Sequence, residues 1–184
     1  MGDARHGFGD VLRAVLGITI GDAPFEAHLA LRHRHRDVAR VDLVVIAVEH
    51  ERYANNDPES MSATIAERAK SGGHRYVVGV ASQTGRDIAP RVAAKLGAVF
   101  ASDVIEAKVN GDALTVRHPG YWGKVIMTLE VSGSPTVVTY RPGAVTAAEN
   151  AKTARAETMA PAADPTASRV VVKETSQSTK GRPD

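Results

Sequence analysis

The stretch Tyr76–Gly97 constrains the chain more than any other. It opens with Tyr76-Val77-Val78-Gly79-Val80-Ala81, an apolar run rich in β-branched residues, which predicts a strand buried on both faces. The small polar segment Ser82-Gln83-Thr84-Gly85-Arg86-Asp87 follows. Ile88, Val92, Ala93 and Leu96 then recur at three- and four-residue spacing, one face of a helix. Gly97 is placed for a left-handed C-terminal cap. Thr84 with Asp87 three residues on fits a capping box, so the helix is expected to start near Gly85. Pro90 then falls in the first turns, where a missing N–H costs least.

A strand, a polar turn and a helix start direct backbone N–H groups and the positive end of the helix dipole at one point. Ser82, Thr84, Gly85 and Arg86 are the candidates to contact an anion such as a phosphate there. The simpler reading is that Ser82, Thr84 and Asp87 satisfy the donors of the helix start themselves. One glycine in the turn makes neither a GxGxxG loop nor a P-loop.

The rest of the sequence sets the frame. At 184 residues and 43% apolar, the chain suits one soluble domain with a core, or one domain with attachments. Aromatics are 4%, so the core is built from small side chains. A net charge of +2 gives no general nucleic-acid signal. The absence of cysteine removes disulfides, thiolate catalysis and thiolate metal sites. No apolar run approaches the roughly 20 residues that span a bilayer, and acidic residues among the first 20 make a poor leader peptide.

Residues 1–41 are the least regular. Val11–Leu16 reads as a helix, Leu16–Ile20 as a strand, and Asp22-Ala23-Pro24 as the start of a second helix towards Arg36. His28, Arg32, His33, Arg34, His35, Arg36 and Arg40 crowd together. They admit a metal site, a nucleic-acid patch or a solvated helix face. His33 and His35 share a face only on a strand, and no aromatic interleaves the cations, which favours the solvated face. From residue 42 the pattern is clean. Asp42–Val48 is a strand, with His50 in the loop at its C-terminal end, where ligands bind in open α/β sheets; a plain surface loop is the simpler reading. Asp57-Pro58-Glu59 starts a helix with Met61, Ile65 and Ala69 on its apolar face, ended by Gly72-Gly73. Ser102–Val109 and Ala113–Arg117 flank the turn Asn110-Gly111-Asp112, whose Asn-Gly is a hairpin signal. His118-Pro119-Gly120 is expected to break the second strand. Val125–Val131, Thr136–Tyr140 and Val170–Lys173 complete the strands, and Ala-, Thr- and Pro-rich residues 144–167 read as a poorly ordered surface excursion. Residues 42–175 are thus expected to be the rigid unit, with 1–40 and 144–167 more mobile.

These residues resemble the N-terminal domain of the α subunit of electron-transfer flavoproteins. Gly85-Arg86-Asp87-Ile88-Ala89-Pro90-Arg91-Val92-Ala93-Ala94-Lys95-Leu96 matches that family's turn and helix. So do Asp57-Pro58-Glu59-Ser60-Met61, Ser102-Asp103-Val104, and Arg117, Pro119, Tyr121, Gly123 and Lys124 in order, followed by Arg141-Pro142. Trp122 departs from the small residue expected at its position. The resemblance covers about Asp42 to Asp184. Residues 1–41 lack its two opening strand–helix units, and read as divergent or as a mis-assigned start. Residues 176–184 resemble the hinge after which the family's FAD domain begins.

The resemblance implies an α/β fold: a mostly parallel sheet of the adenine-nucleotide-binding, universal-stress-like type, with helices on both faces and an antiparallel hairpin extension. It implies a scaffold domain with no catalytic residue and no metal, in an electron carrier rather than an enzyme. FAD belongs to the full-length member and not to this chain alone; AMP in the partner subunit is an open option. The implied partners are a β subunit and, through the heterodimer, acyl-CoA dehydrogenase-type flavoenzymes and a quinone oxidoreductase. Neither nucleic acid nor membrane insertion is implied. The compartment is the bacterial cytoplasm, or the mitochondrial matrix in a eukaryote. The alternatives are a free-standing nucleotide-binding module of the universal-stress type and an inactive gene fragment.

Overall fold

The computed structural model of the chain describes residues 44–54, 57–145, 155–171 and 173–174. The expectations for residues 1–41 and 176–184 lie outside the described residues. Strand β1 (Val44–Val48) leads into a short helix α1 (Glu51–Ala54) and then α2 (Pro58–Ser71). α2 starts as its sequence predicts. Asp57 Oδ1 accepts from the N–H groups of Glu59 and Ser60 at 3.1 and 3.2 Å, and Pro58 occupies the first turn, where no donor is lost. Met61, Ile65 and Ala69 form its buried stripe.

Strand β2 (Tyr76–Val80) and helix α3 (Gln83–Leu96) follow. Here the sequence reading needs correcting. The N-cap is Ser82, whose Oγ accepts from Gly85 N at 3.1 Å, so Thr84 lies inside the helix. Pro90 is therefore the eighth helical residue rather than one of the first few. Asp87 instead pairs with Arg91 one turn on, at 2.9 Å. Gly97 ends the helix in the left-handed region, φ 61°, as expected.

Strands β3 (Val99–Val104), β4 (Glu106–Asn110) and β5 (Ala113–Gly120) come next. The Asn-Gly signal marks the hairpin, but its register pairs Asn110 with Ala113, so the two-residue loop is Gly111-Asp112. Gly111 takes φ 60° as the first loop residue, where a left-handed conformation suits glycine. β5 does not break at His118. It runs to Gly120, with Pro119 opposite Ile126 of β6 (Val125–Ser132). Pro119 lies past the last β4–β5 pair, Glu106–Arg117, where β5 keeps one neighbour in its sheet and a missing donor is tolerated. A tight turn at Tyr121–Gly123 joins β5 to β6, and β7 (Thr136–Tyr140) follows.

Residues 155–159 form β8 (Arg155–Met159), parallel to β1. The expected surface excursion thus contains a strand. Residues 146–154 lie outside the described residues. Val170 and Val171, expected in a strand, are in none. They end a strap seated on the start of α2. There Ser168 Oγ donates to Asp57 Oδ1 at 3.0 Å, and Arg169 N–H donates to Glu59 Oε2 at 3.1 Å.

The architecture is α/β with mostly parallel pairing. β2, β7 and β3 form a parallel sheet with β7 in the middle, β1 pairs parallel with β8, and β4-β5-β6 is antiparallel. Alternation along the strands divides the core in two. Val77 and Val137 point to α2 and α3, joining Met61, Ile65, Ile88, Val92 and Ala93. Tyr76, Ala101 and Val138 point the other way, onto Leu114 and Val116 of the antiparallel sheet. Among the described residues, then, α2 and α3 cover one face of the central sheet and the antiparallel sheet covers the other. Burial on both faces, expected of residues 76–81, holds for Tyr76 and Val77, which point into opposite cores, and is most complete in β7. Val80 at the end of β2 is 47% exposed, while Thr136 through Thr139 are each 1–2% exposed.

Leu114→Ala removes a side chain packed between two sheets, and should destabilise by about 2–5 kcal/mol. Leu129→Ala, on the exposed part of β6, should cost under roughly 0.5 kcal/mol. Urea denaturation of both variants measures the difference; equal losses would contradict the two-layer packing.

Candidate functional site

The C-terminal ends of β2, β7 and β3 meet at one edge of the central sheet. That is the edge at which open α/β sheets bind ligands. The four sequence candidates lie there, Ser82 in the turn from β2 and Thr84, Gly85 and Arg86 in the first turn of α3. Ser82 is the cap. Gly85 is required by its surroundings: a Cβ on it would lie 1.8 Å from the Val80 carbonyl oxygen. The glycine thus lets the helix start approach the chain's own backbone, and its N–H is taken by Ser82. Arg86 N–H donates to the Ser82 carbonyl at 2.9 Å. Thr84 is half-buried in the first turn and Arg86 reaches outward.

The sequence reading assigned no role to the group beside them. β3 pairs Val99–Ala101 with Thr136–Val138, then shifts so that Val104 opposes Tyr140. Ser102 and Asp103 together face Thr139, which is a β-bulge. Asp103 takes φ 53°, a left-handed conformation that Asp tolerates better than most residues. Thr139 Oγ1 accepts its N–H at 3.1 Å. The bulge turns the Asp103 carboxylate onto Arg141, the first residue after β7, in a two-pronged contact: Nε to Oδ1 at 3.2 Å and Nη2 to Oδ2 at 2.7 Å. Arg141 N–H in turn donates to the Val104 carbonyl at 2.9 Å, and Ala81 N–H to the Tyr140 carbonyl at 2.7 Å. Arg86 Nη2 stands 4.0 Å from Asp103 Oδ1, at the limit of an ion pair.

The electrostatics follow. The Arg141 hydrogen bonds hold the Asp103 carboxyl below its ordinary range against the opposing effect of burial, and the fields of Arg141, Arg86 and His118 add to this. Asp103 likewise keeps Arg141 protonated. The site can thus hold three strand ends together. As a receptor for an anion it is weak, because the cation best placed is already neutralised. Two motifs singled out for resemblance alone, Ser102-Asp103-Val104 and Arg141-Pro142, are the two halves of this clasp. A positively charged residue after one strand and an acid near the end of another was the available signal, but their adjacency depends on strand order.

Other candidates fall elsewhere. His50 follows β1, where its Nδ1 accepts from Arg52 N–H at 3.2 Å and its ring tilts against Tyr53. His28, His33 and His35 lie outside the described residues. Among the described residues no group of three or more His, Asp or Glu is placed to hold a metal ion, and no helix is long and apolar enough to cross a membrane. The described residues do not fit a flavin. A pyrophosphate cradle needs several converging free N–H groups, whereas here Gly85 N–H is capped by Ser82, glycine's missing side chain makes room for backbone, and only the Gln83 and Thr84 amides of the helix start are without an acceptor among the described residues.

A family model described as "Electron transfer flavoprotein domain" matches residues 13–166. The chain is 33% identical over 97 residues to the "Electron transfer flavoprotein subunit alpha" of Pseudomonas aeruginosa, a match covering 53% of this chain and 30% of that protein. It is 32% identical over 104 residues to the "Probable electron transfer flavoprotein subunit alpha, mitochondrial" of Schizosaccharomyces pombe, covering 56% and 30%. The chain therefore spans about 30% of the length of the curated relatives it matches.

Two outcomes test the site. Gly85→Ala should cost about 1–3 kcal/mol or more, because the backbone must move, whereas Ser82→Ala should cost about 1 kcal/mol and Thr84→Ala far less; thermal melts rank the three. The Asp103 carboxyl has a lowered pKa in the folded chain. Its contribution is therefore complete above the ordinary aspartate value of about 4 and is lost as pH falls through the lower folded value. The stability gap between the native chain and Asp103→Asn should be constant near neutrality and close in strong acid. A gap that widens on acidification would refute the assignment.

Proposed function

The chain belongs to the electron transfer flavoprotein domain family, and we propose that it is the scaffold domain of an α subunit in a heterodimeric electron carrier. In this reading a β subunit is its partner. The complete heterodimer takes electrons from flavin dehydrogenases of the acyl-CoA class and passes them to a quinone oxidoreductase. FAD, which supplies the redox chemistry when bound, is held by the part of the subunit that follows this domain. The compartment is the bacterial cytoplasm or the mitochondrial matrix.

The observation that carries the scaffold role is the self-sufficiency of the sheet edge. Ser82 caps α3, Gly85 makes room for the Val80 carbonyl, and Asp103 is clasped by Arg141. These groups serve the chain's own backbone and strand ends, and of the first amides of α3 only those of Gln83 and Thr84 are without an acceptor among the described residues, a small donor set for a phosphate. This chain's own residues therefore hold strand ends in register and present a folded surface, with no electron or proton passing through them.

The second reading, a free-standing nucleotide-binding module, draws on the exposed Arg86 beside the start of α3. Titration separates the two. The purified chain should be colourless, leave added FAD fluorescence unquenched, and show no melting shift with AMP, ADP or ATP. A saturable stabilisation by a nucleotide, abolished in Arg86→Ala, would favour the module. Stoichiometric FAD on the chain would overturn the scaffold role.

A further inference from the structure

The β5–β6 hairpin runs past the sheet that carries it. The last β4–β5 pair is Glu106–Arg117, whereas β5 and β6 stay paired through His118–Met127, Pro119–Ile126 and Gly120–Val125. Residues 118–127 are thus a two-stranded arm. It is tied at its base to the residue after β3, where Ile105 N–H donates to the Arg117 carbonyl at 2.8 Å. At its tip, residues 121–126 are all exposed. Tyr121 is 76% and Trp122 103% exposed, and Val125 and Ile126 follow at 45% and 42%. Trp122 is the one tryptophan of the chain. Tyr121 and Trp122 both take positive φ, 47° and 61°, where glycine or asparagine is at ease and a bulky aromatic is strained. Neither ring is buried in this chain, so nothing within it offsets that strain.

An apolar tip held out in water on a strained backbone is what a partner covers. We propose that this arm is the docking element for the β subunit, with the Trp122 indole seated in an apolar pocket of that subunit and Lys124 beside a carboxylate on the pocket's rim. The proposal rests on the heterodimer reading above and adds to it the surface by which this domain is held. The chemistry of the arm selects the occupant. Among the described residues β6 pairs only with β5, so its outer side keeps N–H and C=O groups unpaired. A polypeptide satisfies such groups, whereas the interior of a bilayer does not. Residues 118–127 hold no acid, and Lys124 is their one lysine or arginine. It has no ion-pair partner among the described residues, and an acid on the rim complements it. The rest of the tip is apolar, which suits a permanent interface better than the smaller and more polar contacts through which electron donors and acceptors come and go.

Position 122 can be read by itself when the chain is made with 5-hydroxytryptophan, which absorbs to the red of tryptophan. Its emission should shift to the blue when purified β subunit is added. Calorimetry should give a Kd that Trp122→Ala raises about 100-fold and Lys124→Glu about tenfold. Trp122→Gly separates docking from folding. It relieves the backbone, so the isolated chain should melt at the same temperature or higher, yet bind as poorly as Trp122→Ala. A complex whose emission at position 122 is unchanged, or which is indifferent to the Trp122 variants, overturns the proposal and leaves the heterodimer standing. If no complex forms at any concentration, the heterodimer reading fails and the proposal fails with it. A blue shift on vesicles of phosphatidylglycerol and phosphatidylcholine, with none on the β subunit, assigns the arm to a membrane surface and overturns the proposal likewise.

Discussion

The structure depends on β7. It is the middle strand of the central sheet, four of its five residues, Thr136–Thr139, are almost inaccessible to water, and its two faces build two different cores. Such a strand is normally wholly aliphatic. Here two of the four buried residues are threonines, and each hydroxyl needs a partner. Thr136 Oγ1 donates to the Gly133 carbonyl at 2.8 Å, which fixes the entry to the strand. Thr139 Oγ1 receives the Asp103 N–H, which fixes the bulge in the neighbouring strand. The bulge aims Asp103 at Arg141, the residue that follows β7. One strand thus sets the register of β2 and β3 through its backbone and the geometry of the sheet edge through one hydroxyl.

How much of this was legible follows from the range of each signal. The start of α2 was readable because Asp57, Pro58 and Glu59 act on their own backbone. The hairpin was readable for the same reason, and of its three expected turn residues only Asn110 belongs to a strand instead, because register decides which residues turn. The capping box at Thr84 failed because Ser82 sits nearer the end of β2 and reaches Gly85 first. β8 was missed because Arg-Ala-Glu-Thr-Met has no apolar alternation; it is a strand through pairing with β1, and four of its five side chains are not the kind that mark one. The run Val170-Val171 had the right composition and no strand to pair with among the described residues.

The candidate site divides in the same way. The junction of a strand with a helix near Ser82 could be read locally, although the turn is shorter than the polar segment suggests and Gln83 to Arg86 already belong to α3. Its chemistry was not legible. That Gly85 relieves a contact with Val80, and that Asp103 and Arg141 close over the neighbouring strand end, are both facts of strand order. Residues 38 apart in the chain meet only because β7 lies between β2 and β3.

The pairing of β1 with β8, reinforced by Ser168 on Asp57, has a consequence for the order of assembly. These contacts join residues 111 apart in sequence, whereas β4, β5 and β6 close through short turns. Long loops are costly to close before other contacts exist. On a ribosome, everything needed for the central sheet has been made once Tyr140 emerges. β1, although synthesised earlier, waits without its partner until Met159 has followed, and the start of α2 receives its strap last. The earliest strand described is therefore among the final described pieces to lock, and its edge stays without β8 until then.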